Sequence, residues 1–180
     1  MASSSPEPSA STTAADPRPA GAAPADPACL PPILRVLLSV DGTVTGVLEA
    51  WFGEPVAVEM LRMQMGEGDV TADRAVLLTG ERTQRRFAHA VSSLDLAALP
   101  VVMRDGLVKG TRGIGRLMHD ERLETYRELG PTWSEPAGAF AAALGCAAEA
   151  TVIGRRYAIW IHGRPSIRIV ERFPLALYTL

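Results

Sequence analysis

The chain has 180 residues, 47% of them hydrophobic, and a formal net charge of −2, a size and composition that fit one globular domain with or without a tail. Its 18 Lys and Arg are interspersed with 20 Asp and Glu, so no basic stripe exists to track a phosphate backbone, and nucleic acid is excluded as the expected partner. No apolar run reaches the length of a membrane span, and the two cysteines, Cys29 and Cys146, suggest neither a disulfide framework nor a zinc site, so a cytoplasmic protein with no membrane partner is expected.

Residues 1–28 are almost wholly Ala, Pro, Ser, Thr and Asp, with no large apolar side chain beyond Met1. Such a segment cannot bury enough surface to offset the entropy of ordering it, so 1–28 is expected as a disordered tail and 29–180 as the folded domain. The tail has no basic start followed by an apolar core, and Glu7 and Asp16 are wrong for a transit peptide. After Pro31-Pro32, residues 33–38 and 43–52 read as two helices. Thr43 takes the N-cap position, Val44, Val47, Leu48 and Trp51 recur at helical spacing, and Gly53 closes the second helix. Residues 55–63 are apolar on both alternating faces, which predicts a central strand. The runs 74–79 and 86–94 flank the polar turn Gly80-Glu81-Arg82-Thr83 and form a hairpin. Residues 97–107 have helical spacing, and 110–118 begins as a glycine-rich loop and ends as a short helix. Residues 121–129 fit either a strand or a helix. An alanine-rich helix over 137–148 and a closing hairpin with its turn at His162-Gly163 complete the chain. The fold class is α+β: a single antiparallel sheet of about six strands covered by helices on one side.

Two charged residues sit where core residues belong. In the last strand Ile167, Ile169, Glu171 and Phe173 share one face, so Glu171 is a carboxylate in an apolar row. A buried carboxylate is costly, and it signals a buried ion pair, the rim of the sheet, or a functional group. In Asp73-Arg74-Ala75-Val76-Leu77-Leu78, Arg74 starts an apolar row with Val76 and Leu78. A buried guanidinium is suited to a bidentate grip on a carboxylate or phosphate. The two residues either pair with each other or bracket a small ligand with a carboxylate at one end and a hydroxyl at the other. Gly110-Thr111-Arg112-Gly113-Ile114-Gly115 lacks the lysine of a phosphate-binding loop. His89 alternates with Phe87 and Val91 and is placed inward, while His119 and His162 fall at a helix end and a turn. The histidines are not spaced as ligands, so no metal is expected.

The order Arg74-Ala-Val-Leu-Leu, Gly113-Ile114-Gly115-Arg116-Leu117, Arg155-Arg156-Tyr157, Gly163-Arg164-Pro165 and Val170-Glu171-Arg172-Phe173-Pro174 resembles the chorismate lyase-like family over about residues 34–178. Phe87-Ala88-His89-Ala90 and Leu123-Glu124-Thr125 are similar to its actinobacterial 4-hydroxybenzoate synthase branch. The resemblance implies a strand over 121–129 and a chorismate pyruvate-lyase: the small-molecule substrate chorismate gives 4-hydroxybenzoate and pyruvate, with no cofactor. It implies that Arg74 clamps the ring carboxylate and that Glu171 meets the C4 hydroxyl as a proton-transfer group, its pKa raised by apolar surroundings. It further implies that backbone at Ile114 and near Val44 contacts the ligand, with Gly113 in the loop that closes over the ring. Arg155 or Arg156 would attract the enolpyruvyl carboxylate, and Arg156 and His89 complete the expected substrate contacts. The alternative is a non-catalytic domain of the same fold that binds a small aromatic acid.

Overall fold

The computed structural model describes residues 19, 21–110 and 112–179. Its strands are β1 (Ala23–Pro24), β2 (Val56–Met65), β3 (Thr71–Gly80), β4 (Arg86–Asp95), β5 (Thr125–Pro136), β6 (Thr151–Ile161) and β7 (Arg164–Pro174). They form one antiparallel sheet in the order β1-β5-β6-β7-β4-β3-β2. The expected six long strands are joined by a two-residue seventh: Ala23 and Pro24 pair with Ser134 and Trp133. Of the segment expected as a tail, residue 19 and residues 21–28 are described; the remainder lies outside the described residues.

Helices α1 (Pro32–Ser39), α2 (Val44–Phe52), α3 (Val101–Lys109) and α4 (Ile114–Asp120) all pack on one face. Their apolar stripes bury two clusters. Leu34, Leu37 and Leu48 of the first helix pair meet Leu78, Phe173 and Tyr178, while Met103, Leu107 and Leu117 of the second pair meet Leu94, Ile159 and Ile167. The chain end is fastened by the buried Tyr178 hydroxyl, which donates to the Phe87 carbonyl at 2.7 Å.

Two sequence expectations are corrected. Residues 55–63 form an edge strand, since β2 ends the sheet order and Leu61 and Met65 are exposed; its apolar alternation reports partial burial of both faces and carries no information about neighbours. The alanine-rich stretch 137–148 is helical only as a 3₁₀ turn over Gly138–Phe140 and α5 (Ala141–Leu144). Gly138 and Gly145 adopt positive φ of 50° and 66° and interrupt it on both sides. This short segment packs with Leu77 and Val152 on the face opposite the four longer helices.

Candidate active site

The two helix pairs leave a cavity of about 60 Å³ where they meet over the sheet. The starts of α2 (Thr43, Val44) and α4 (Gly113, Ile114) form its roof, and its floor comes from alternate residues of the strands beneath. In β4 those residues are Ala90 and Ser92, directly opposite Glu171 and Ile169 of β7 and Val76 and Arg74 of β3. Small side chains in the middle row, flanked by larger ones, open the hollow. At the roof, Thr43 occupies the N-cap position of α2 but makes no capping hydrogen bond. Its side chain faces Gly115 so closely that a Cβ there would lie 2.6 Å from Thr43 Cγ2. A groove carrying Arg112, Arg116 and His119 adjoins the cavity through Thr43, Val58 and Gly113.

Arg74 and Glu171 both line this cavity and are both almost fully buried, at 1% and 4% exposure. They do not neutralise each other. Glu171 Oε2 accepts from Arg155 Nε at 2.7 Å, and its Oε1 accepts from the Tyr157 hydroxyl at 3.1 Å. The expectation of purely apolar surroundings for Glu171 is thereby corrected: its immediate partners are a guanidinium and a phenol. Arg155 also donates to the Val40 carbonyl at 3.1 Å and its guanidinium lies 4.7 Å from the Tyr157 ring centre. Burial, followed by the negative charge of Glu171, raises the Tyr157 hydroxyl far above its ordinary value, so it stays protonated and donates to Glu171. Arg74 donates from Nη2 to the Arg112 carbonyl at 2.9 Å, while its Nε is buried with no partner among the described residues. Burial lowers its pKa to about 10, and it stays charged at neutral pH.

Val44, Gly113 and Ile114 also line the cavity. His89 and Arg156, expected as substrate contacts, do not, and both corrections trace to β-bulges. A two-residue turn at His162-Gly163 sets the pairs Ile161 with Arg164 and Trp160 with Pro165, a register that continued would turn Arg156 to the face of Glu171. The pairing shifts by one residue between Ile159 and Trp160, so Arg155 lies opposite Glu171 and Arg156 opposite Val170 on the other face. In the β3–β4 hairpin a shift at Leu78/Thr79 leaves Phe87 stacked on Phe52 in the helix-side core. His89 faces the other way, its ring 5.1 Å from that of Phe140. It is buried there with Arg172, whose Nε is 2.8 Å from Glu135 Oε1. Burial, then the Arg172 charge, lowers His89 to about 4.

Arg155 as the partner of Glu171, together with Tyr157 and Arg127 at the cavity, was not assigned from the sequence. The alternation Ile153, Arg155, Tyr157, Ile159, Ile161 in β6 is the signal that holds Arg155 and Tyr157 on one face, and Arg127 lies opposite Ile159 on the neighbouring strand. Among the described residues no group of three His, Cys, Asp or Glu is placed to hold a metal ion, and no helix is long and apolar enough to cross a membrane.

Chorismate pyruvate-lyase of Mycobacterium leprae (strain TN) is 29% identical over 154 residues, covering 78% of this chain and 73% of that protein. Chorismate pyruvate-lyase of Mycobacterium tuberculosis (strain H37Rv) is 24% identical over 157 residues, covering 78% of each. Among solved structures, PhnF from Mycobacterium smegmatis superposes with a TM-score of 0.55 at 12% identity, over 76% of this chain and 65% of that one, so the chain spans just under two thirds of PhnF. The effector domain of PhnF superposes with a TM-score of 0.52 at 13% identity, over 73% and 87% of the two chains. These structural likenesses show the α+β fold. Residues 38–180 match the model of the family described as "Chorismate pyruvate-lyase Rv2949c-like". That match spans well over half of the chain, and the chain belongs to the Rv2949c-like chorismate pyruvate-lyase family, a family of lyases.

Proposed function

We infer that the protein eliminates pyruvate from chorismate to give 4-hydroxybenzoate, using its own side chains and no cofactor. The observation that carries this reading is one buried cavity that holds both a guanidinium with an N–H unpartnered among the described residues and a separately paired carboxylate. Arg74 takes the ring carboxylate, which supplies the acceptor its Nε lacks. Glu171 lies across the sheet on β7, two strands from β3, so roughly 10 Å of sheet separates the two backbones. That span suits a ring with its carboxylate at one end and its C4 hydroxyl at the other. Backbone at Val44 and Ile114 closes on the ring from above.

In the reaction the C3–O bond breaks, its electron pair leaves with the enolpyruvyl oxygen, the C4 proton is lost and the ring becomes aromatic. The enolpyruvate takes up a proton and tautomerises to pyruvate, so no net proton is gained or lost. Glu171, held by Arg155 and Tyr157, is the group to accept the C4 proton and return it to the departing enolpyruvyl group. Aromatisation provides much of the driving force, and the protein chiefly orients and desolvates. The free thiols of Cys29 and Cys146 fit a cytoplasmic setting. Incubating the purified chain, treated with chelator, with chorismate and identifying the products tests the reading. Stoichiometric 4-hydroxybenzoate and pyruvate are expected. Tight binding of the aromatic acid without turnover would replace the lyase with a binding domain, and neither binding nor turnover would overturn both.

A further inference from the structure

Two guanidinium groups, of Arg74 and Arg127, line the cavity, and a third, of Arg155, stands behind Glu171 and is consumed by it. Arg155 is neutralised by Glu171 and also bonded to the Val40 carbonyl. Arg74 and Arg127 each make one bond to a backbone carbonyl, of Arg112 and Gly42 respectively, and in each the Nε is buried with no partner among the described residues. With Arg155 and Glu171 cancelling, the cavity carries two positive charges and two unused charged donors. A buried donor left unmade is costly, and a monocarboxylate can satisfy only one of these two.

The two arginines reach the cavity from opposite margins. Arg74 is on β3 and Arg127 on β5, opposite Ile159 of β6, with β4, β7 and β6 in between. Glu171 lies on β7, between them. A ligand that meets all three needs one carboxylate toward β3, a second toward β5, and a hydroxyl or acidic C–H between. Arg156 is unsuited to the second carboxylate because the bulge turns it to the other face, and Arg155 already serves Glu171. We propose that Arg127 grips the second, enolpyruvyl carboxylate of the substrate and makes the site select the dicarboxylate over its monocarboxylate aromatic product. This assignment rests on the lyase reading given above. After elimination the second carboxylate leaves with pyruvate, so the aromatic product is held by Arg74 alone and the Arg127 contact no longer opposes its release.

Arg127→Gln tests the assignment, since glutamine retains a donor for the Gly42 carbonyl but has no charge. The chorismate KM and kcat, and the dissociation constant of 4-hydroxybenzoate by calorimetry, are measured for the parent and the variant. The expected result is a KM raised by about 10-fold or more, a kcat close to that of the parent, and product affinity within about threefold of it. Arg127→Lys, which restores the charge without the planar fork, should fall between the two. An equal loss for chorismate and 4-hydroxybenzoate would show that Arg127 only ties down the Gly42 loop, and an unchanged KM would show no role; either overturns the assignment while a parent that makes 4-hydroxybenzoate upholds the lyase reading. A parent that leaves chorismate intact overturns the lyase reading itself.

Discussion

Arg74 is a charged side chain in a buried cavity with one acceptor among the described residues, an arrangement that lowers stability unless a ligand completes it. Replacing it with methionine removes an orphan donor whose burial costs roughly 1–3 kcal/mol and keeps most of the packing volume. Arg74→Met should therefore melt at or above the parent temperature while 4-hydroxybenzoate affinity falls by about tenfold or more; a lowered midpoint with unchanged affinity would make Arg74 structural. Glu171→Gln has the opposite profile. It leaves the buried Arg155 without its counter-charge, so the midpoint drops, and it abolishes proton transfer, so turnover falls by roughly 10²–10⁴-fold even well below that midpoint. Activity that merely tracks the folded fraction would remove Glu171 from the chemistry. His89 carries a pH dependence that has nothing to do with the site. Its folded pKa of about 4 lies below the ordinary value of 6.5, so the unfolded chain binds the extra proton first. Its contribution to stability is complete above pH 6.5 and is lost as pH falls toward 4, by about 3 kcal/mol in all. His89→Leu should flatten the melting curve's pH dependence across that window, and a slope identical to the parent's would place the titration elsewhere.

At the scale of elements, the sequence was readable wherever alternation ran without interruption and misleading wherever one residue was inserted. Arg74 with Val76 and Leu78, and Glu171 with Ile167 and Ile169, lie in uninterrupted stretches, and both residues reach the cavity. Arg156 and His89 lie beyond bulges, at Ile159/Trp160 and Leu78/Thr79, and a one-residue shift moves a whole strand segment to the other face. The bulge itself has no local mark, because it is fixed by the pairing of both strands, although for Arg156 the alternation Ile153, Arg155, Tyr157, Ile159 along β6 already pointed to the other face. The small residues Ala90 and Ser92, which open the cavity, were visible but unread, since an alanine or serine in a strand has no meaning until its neighbours across the sheet are known. The roof follows the same logic of close approach. Gly115 leaves room for Thr43, and Gly115→Ala puts a Cβ 2.6 Å from Thr43 Cγ2 and 3.2 Å from its Cβ. Both atoms belong to a short β-branched side chain that cannot swing away, so the starts of α2 and α4 must part. The expected outcome is a weaker hold on 4-hydroxybenzoate with a faster dissociation rate in stopped-flow measurement, at little cost in melting temperature. A dissociation rate equal to the parent's would show that this contact does not seal the site.

For the molecule as a whole, the sheet has two ends and they are finished differently. The β2 end has no strand partner among the described residues, and a bulge at Met60/Arg62 interrupts it, a device that discourages pairing with other chains. The β5 end is covered by β1, whose Ala23 and Pro24 pair with Ser134 and Trp133. Ala25 then packs against the α1–α2 core and donates to the Thr132 carbonyl at 3.4 Å. Asp26 caps the turn that leads into α1, accepting from the Ala28 N–H at 2.9 Å. Trp133 is one of the largest fully buried side chains, and its ring lies over Gly154 of β6 so closely that a Cβ on Gly154 would enter it. The segment 21–28, though poor in large apolar groups, therefore covers the edge beside a main structural aromatic. Two truncations separate its contribution from that of residues 1–18, which contain no large apolar side chain beyond Met1. Removing 1–18 should leave the melting midpoint and chorismate turnover unchanged. Removing 1–28 uncovers the β5 edge and breaks the Asp26 cap, worth about 1 kcal/mol for a cap of this kind, so the midpoint should fall by several degrees. The exposed edge should also raise the rate of aggregation seen by light scattering. Identical midpoints and identical scattering for the two truncations would show that β1 contributes nothing to the edge it covers.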